Sequence, residues 1–225
     1  MIVVIGQPVL TRVDGNPVAT GSPARIALTA ADRGAAVQLI GKVGDDADGE
    51  ALVLALGQRH VGHVALLRDP AHRTPVGVDA VDAADAIDEE LTETDDFPAP
   101  GAGRAGGDPA DSPALDAGDV ELGLRYLTEF RVVIVADELG ETALRVAADA
   151  AGWNNGTLLA VVPYGRPEPA GMPPDAIVLG APVDDVDGVF DRLVGQLAAA
   201  IDAGADPQAA FREAVAGAGW EPAEA

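Results

Sequence analysis

Residues 21–50 read GSPARIALTAADRGAAVQLIGKVGDDADGE, and their order of small, apolar and acidic side chains sets the fold class. Ser22 followed by Pro23 has the pattern of an N-cap and a proline in the first helical turn, so a helix is expected over ARIALTAADR, stopped by Gly34. A strand is expected at Ala36 to Ile40. Asp46 or Asp48 then caps a second helix whose buried face is Ala51, Leu52, Leu54, Ala55 and Leu56, ending before Gly57.

Upstream, Ile2 to Ile5 is a short apolar run stopped by Gly6 and Pro8, the signature of a buried strand. Downstream, Val64–Leu67 and Val76–Val81 read as two further strands. From residue 82 to 118 the chain turns to Asp, Glu, Gly and Pro with few large apolar side chains, and a long mobile loop is expected there. Its GAGRAGG run follows no strand and opens no helix, so it reads as linker and not as a phosphate cradle. Order is expected to resume with a helix at Asp119–Phe130, the strand RVVIVA, a helix at Glu141–Ala151 and the strand GTLLAVV. After a proline-rich loop come the strand AIVLG, a helix from Val189 to Ala203 and a last helix opened by Asp206 and Pro207.

Strands alternating with helices imply one α/β domain over residues 1–225, Rossmann-like, with a parallel sheet covered by helices on both faces. Ligands in such folds bind beyond the carboxyl ends of the strands, which places Gly6–Thr11, Gly41–Asp46 and Ala136–Gly140 at the candidate crevice.

Composition narrows the function. Fourteen Lys and Arg against 37 Asp and Glu give a formal charge of -23, which repels nucleic acid and anionic membranes. No apolar run approaches the roughly 18–20 residues that span a bilayer, and MIVVIGQPV lacks the basic start of a signal peptide, so a cytoplasmic protein is expected. Without cysteine there is no thiolate ligand or nucleophile. His60, His63 and His72 read as surface histidines, Asp45, Asp46, Asp48 and Glu50 as helix-terminal acids, and no metal site is expected. Ser22 and Ser112 have no histidine and acid arrangement, and Trp153 and Trp220 read as core or interface anchors.

Gly21, Pro23, Ala27, Gly34 and Gly44 fall on the spacing of the N-terminal signature of the ribokinase, or pfkB, family of carbohydrate kinases. GDDADGEALVLAL and HVGHVALLRDPAHRTPVGVDAV resemble the segments that follow it. The resemblance implies a ribokinase-like fold with a small or reduced lid and ATP-dependent phosphorylation of a sugar or nucleoside hydroxyl. ATP and Mg would be the cofactors, a small molecule the partner, and a homodimer through lid strands is implied too. In the family an aspartate in a Gly-Ala-Gly-Asp turn takes the hydroxyl proton, and amides at that helix start form an anion hole.

The chain departs from that pattern at its contact residues. The signature's asparagine falls on Arg25, whose guanidinium only donates hydrogen bonds and carries fixed charge. It is expected either to grip an anionic ligand or to pair with an acid such as Asp45 or Asp46. The substrate-holding aspartate after the first strand falls on Thr11, with Asp14 nearby as a substitute, and little room is left for lid strands between Asp14 and Gly21. Thr11, Asp14, Gly21 and Arg25 are thus the candidate substrate residues. Matching Gly195, Leu197 and the later DAG turn puts Phe190 on the catalytic aspartate, with Asp187 and Asp191 as candidates to replace it. A strand-rich section that forms much of the family's nucleotide pocket is missing before this turn. Three readings stay open: an impaired kinase homologue that binds a small molecule, an active kinase for an anionic substrate with a displaced aspartate, and a non-catalytic interaction domain.

Overall fold

A chain whose buried strands alternate with amphipathic helices must place apolar side chains on both sides of a sheet, and this one does. The computed structural model describes residues 1–77, 112–183, 185 and 187–218. In chain order these form β1 (Ile2–Ile5), β2 (Val9–Val13), β3 (Asn16–Thr20), α1 (Ser22–Asp32), β4 (Val37–Gly44) and α2 (Ala47–Gln58). Next come β5 (Val61–Gly62), β6 (Leu66–Asp69), α3 (Ala117–Arg125), β7 (Val132–Val135), α4 (Glu141–Trp153), β8 (Thr157–Pro163), β9 (Ile177–Ala181), α5 (Val189–Asp202) and α6 (Pro207–Ala218).

The main sheet has the order β5-β4-β1-β7-β8-β9, with β6 pairing the far half of β4. Every pairing within it is parallel, Ile2 lying level with Val37 on one side and Val132 on the other. The period of two divides the central strands between two cores. Ile2, Val4, Val132 and Ile134 join Ile26, Leu52, Leu193 and Leu197 beneath α1, α2, α5 and α6. Val3, Ile5, Val133 and Val135 join Val120, Leu124, Leu144 and Ala147 beneath α3 and α4.

Most elements lie where their residues predict, with informative exceptions. Val9–Val13 and Asn16–Thr20 form an antiparallel hairpin, so the short segment before Gly21 does hold two lid strands. Asp14 and Gly15, with φ of 50° and 79°, make the tight turn between them, the Asp-Gly pair favoured in two-residue hairpins. The expected strand at 64–67 is instead the short β5 and the later β6, and the second strand continues to Gly44. Of the expected strand at 76–81, Val76 bridges Leu10, while residues 78–81 lie outside the described residues. The same holds for the loop expected at 82–118 up to residue 111. Its last residues are ordered, for Asp116 closes a capping box with Asp119 that starts α3 at Ala117. Trp220 is also outside the described residues. Trp153 is no core anchor, being 91% exposed at the end of α4.

Candidate functional site

The carboxyl ends of β1 and β7 and the first turns of α1 and α5 meet in one crevice. Close approach is possible because Gly6 has no side chain. A Cβ there would lie 2.5 Å from Cγ of Pro23 and 2.9 Å from a carboxylate oxygen of Asp137. On the other side Gly195 lets α5 lie directly on α1, since a Cβ there would sit 2.7 Å from the Ile26 carbonyl oxygen.

That packing brings together residues far apart in sequence. The expected cap, Ser22, does not cap its helix; Gly21 is the N-cap, with φ 81°, and makes no side-chain bond. The Ser22 hydroxyl instead donates to Asp191 Oδ1 at 2.6 Å. Arg25 pairs with neither Asp45 nor Asp46. Its Nη1 donates to Asp191 Oδ2 at 3.3 Å. Asp45 faces Arg68, and Asp46 caps α2 through the Gly49 amide while accepting from the Thr74 amide and hydroxyl. Asp191 is only 2% exposed, and burial pushes its carboxyl above the ordinary range, opposed by the Ser22 hydrogen bond and the Arg25 charge.

The start of α5 is self-capped. Asp185 accepts from the Phe190 amide at 3.1 Å and the Asp191 amide at 3.3 Å, so a carboxylate of the chain itself covers two of the amides that the helix N-terminus presents. The ring of Phe190 points away into the core. Asp187 is exposed, and its carbonyl accepts from Arg192 Nη1 at 2.5 Å.

The other predicted residues lie on the hairpin. Thr11 shares a hydrogen bond with Thr20, hydroxyl to hydroxyl, at 2.7 Å. Asp14 is exposed at the turn, away from the Arg25–Asp191 pair as the hairpin's outer end is from its base. Ser22, Gly21, Arg25 and Asp191 therefore come together, whereas Asp14 stands apart from them and Asp187 is exposed just before Gly188, which packs against Arg25. His60 and His63 are exposed, and His72 bonds Asp69.

Asp137 lies within the Ala136–Gly140 stretch expected at the crevice, but the sequence singles out neither it nor Asp185. Asp137 follows β7 and accepts from the Gln7 amide through Oδ2. Its carboxyl is pushed up to about 6, first by burial, then by the nearby charges of Asp191 and Glu138, against the Gln7 hydrogen bond. The folded chain thus holds this proton more tightly than the ordinary 3.8 of an unfolded aspartate. Its contribution to stability is full below pH 4 and declines as pH rises through 6. Against the wild type, Asp137→Asn is expected to be near neutral at pH 4 and more stable by at most about 3 kcal/mol at pH 8. Urea unfolding at the two pH values checks this, and an equal effect at both would contradict the assignment.

The fit of ATP, implied by the resemblance, is tested by the same geometry. A terminal phosphate needs the free amides of the α5 start, and Asp185 holds two of them, so the described residues as arranged do not fit that group.

No family model and no curated protein matches this sequence. Solved structures do match in fold. An Escherichia coli protein assigned as a ribokinase II, in complex with ATP and Mg2+, superposes with TM-score 0.61 at 14% identity over 95% of this chain and 89% of its own. Ribokinase of Arabidopsis thaliana, complexed with ribose and ATP, gives 0.58 at 15% identity over 96% and 90%. The tetrameric inhibited form of Escherichia coli phosphofructokinase-2 gives 0.58 at 15% over 96% and 92%. The chain has the ribokinase-like fold.

Proposed function

We propose that this chain is a pfkB-type carbohydrate kinase homologue that has lost efficient phosphotransfer and acts by binding a small molecule in its crevice. The observation that carries this reading is the closed network of Ser22, Arg25, Asp191 and Asp185. A general base must meet a substrate hydroxyl with an oxygen free to take its proton. Both oxygens of Asp191 already accept a hydrogen bond, one from the Ser22 hydroxyl and one from the Arg25 guanidinium, so the carboxylate is turned towards its own chain. Arg25 directs Nη1 at Asp191, so part of its charge is offset within the chain. Two of the amides that would hold a transferring phosphoryl group are covered by Asp185, and one such donor is worth about 3 kcal/mol to a transition state.

Thermal unfolding with millimolar Mg-ATP tests the reading. No rise in midpoint is expected, because binding at about 100 times Kd would add near 2.7 kcal/mol and move it by several degrees. A reproducible rise with Mg-ATP that Mg-AMP does not give would overturn it.

One observation favours a second reading, that of an active kinase. Gly188, Val189, Phe190 and Asp191 have the length of the Gly-Ala-Gly-Asp turn, glycine first and aspartate last, one residue on from the alignment that selects Phe190. Gly188 takes the left-handed conformation, φ 63°, immediately before α5, and Asp191 faces the crevice. In that reading Arg25 would have to release Asp191 before any hydroxyl could approach.

A further inference from the structure

Beside the crevice a cavity of about 320 Å3 opens between the ends of β7 and β8, the N-terminal part of α4 and the proline-bearing loop after β8. Its volume falls at the lower end of small-molecule sites. Val135, Leu139, Leu144 and Ala160 give it apolar walls, and Asp137, Glu138 and Arg166 are its charged groups.

These charges are unevenly matched. Glu138 and Arg166 meet at 3.7 Å with side chains 63% and 61% exposed, a loose pair at the rim that contributes little. Asp137 is the inner wall shared with the crevice. Among the described residues its only hydrogen bond is from the Gln7 amide, and no cation pairs with it. Arg25, on the other side of the crevice, is paired with Asp191, whose own charge repels Asp137. An enclosed carboxylate beside apolar walls, without a counter-charge, favours a ligand that supplies one. The acidity of the whole chain raises the local concentration of cations and repels carboxylates.

We propose that this cavity binds a small organic amine, with the ammonium donating to Asp137 and Glu138 and an apolar body against Leu139, Leu144 and Pro167. The proposal rests on the small-molecule-binding reading above and names its ligand class. An alcohol of the same shape fills the walls but leaves the carboxylate uncompensated, and a carboxylate meets two negative charges.

Calorimetric titration of the full chain with benzylamine, benzyl alcohol and benzoate at low salt and pH 8 tests it. Benzylamine is expected to bind about ten-fold tighter than benzyl alcohol or more, with no measurable benzoate binding. Asp137→Asn should remove that preference while keeping the alcohol's affinity. Glu138→Gln, at an exposed position, should weaken amine binding without disturbing the fold. Lowering the pH from 8 to 5 should weaken amine binding in the wild type, as Asp137 takes up a proton facing Asp191 with its Arg25, Glu138 and Arg166. Equal binding of amine and alcohol, an undiminished preference in Asp137→Asn, or no binding of any of the three would each overturn the proposal. Phosphotransfer measured in parallel bears only on the kinase reading: turnover beside retained amine preference leaves this inference standing, and amine silence without turnover sinks it alone.

Discussion

Replacing Arg25 by alanine is expected to destabilise the fold by about 2–3 kcal/mol at pH 8 and by clearly less at pH 5. Arg25 is the only cation paired with Asp191 among the described residues, and Asp191 is 2% exposed. Removing it strands a buried carboxylate whose pKa already lies above the ordinary 3.8. Such a group weakens the folded state once ionised, so the loss grows as pH rises through its raised folded value and shrinks below it, where the neutral acid is buried. The figure stays below the range for a fully buried pair because the Arg25 side chain is 35% exposed. Adding Asp191→Asn should recover most of the loss, since the neutral amide needs no counter-charge. Denaturant midpoints for the two single variants and the double variant give the coupling directly. A pH-independent loss, or simple additivity, would mean that the pair does not hold the site.

Gly195→Val is expected to cost about 3 kcal/mol or more and to open the crevice. The position lies one turn beyond Asp191 on α5, and a Cβ would stand 2.7 Å from both the Ile26 carbonyl oxygen and Cβ of Thr29. Backbone of α1 cannot yield as a flexible side chain would, so the helices must separate. Ser22 and Arg25 sit on the same helix as Ile26, and separation pulls them off Asp191. Gly152→Ala on α4 is the matched control, with nothing within 4 Å of the added carbon. It should leave stability unchanged or slightly raised, as alanine is the better helix former. Thermal melts of both variants decide between close packing and a general intolerance of larger residues.

Arg25, at the position where the resemblance would place a neutral amide, has its partner across the crevice. Arg25 neutralises Asp191, a residue 166 positions later in the chain. Local signals made much of the fold legible: Gly6 and Pro8 ending a run of buried aliphatics, Asp46 capping α2, Pro207 opening α6. The hairpin was written in its Asp14-Gly15 pair, but Pro17 and the polar Thr11 and Arg12 mask the alternation that usually marks two strands. Ser22 and Asp185 were illegible for another reason. A serine before a proline reads as a cap until a distant carboxylate claims its hydroxyl, and an aspartate in a loop has no role until a helix start is placed beneath it. The candidate base turned on one residue of register. Phe190 and Asp191 are adjacent, and only the packing of the phenyl ring into the core turns the aspartate to the crevice.

The most direct test of an acid site closed by its own chain is transfer of labelled γ-phosphate from Mg-ATP to a panel of sugars, nucleosides and sugar acids, with Asp191→Asn in parallel. Transfer by the wild type is expected to be no greater than by the variant for every acceptor. Turnover that is present in the wild type and abolished in Asp191→Asn would contradict it, and would mean that Arg25 releases the aspartate during the reaction.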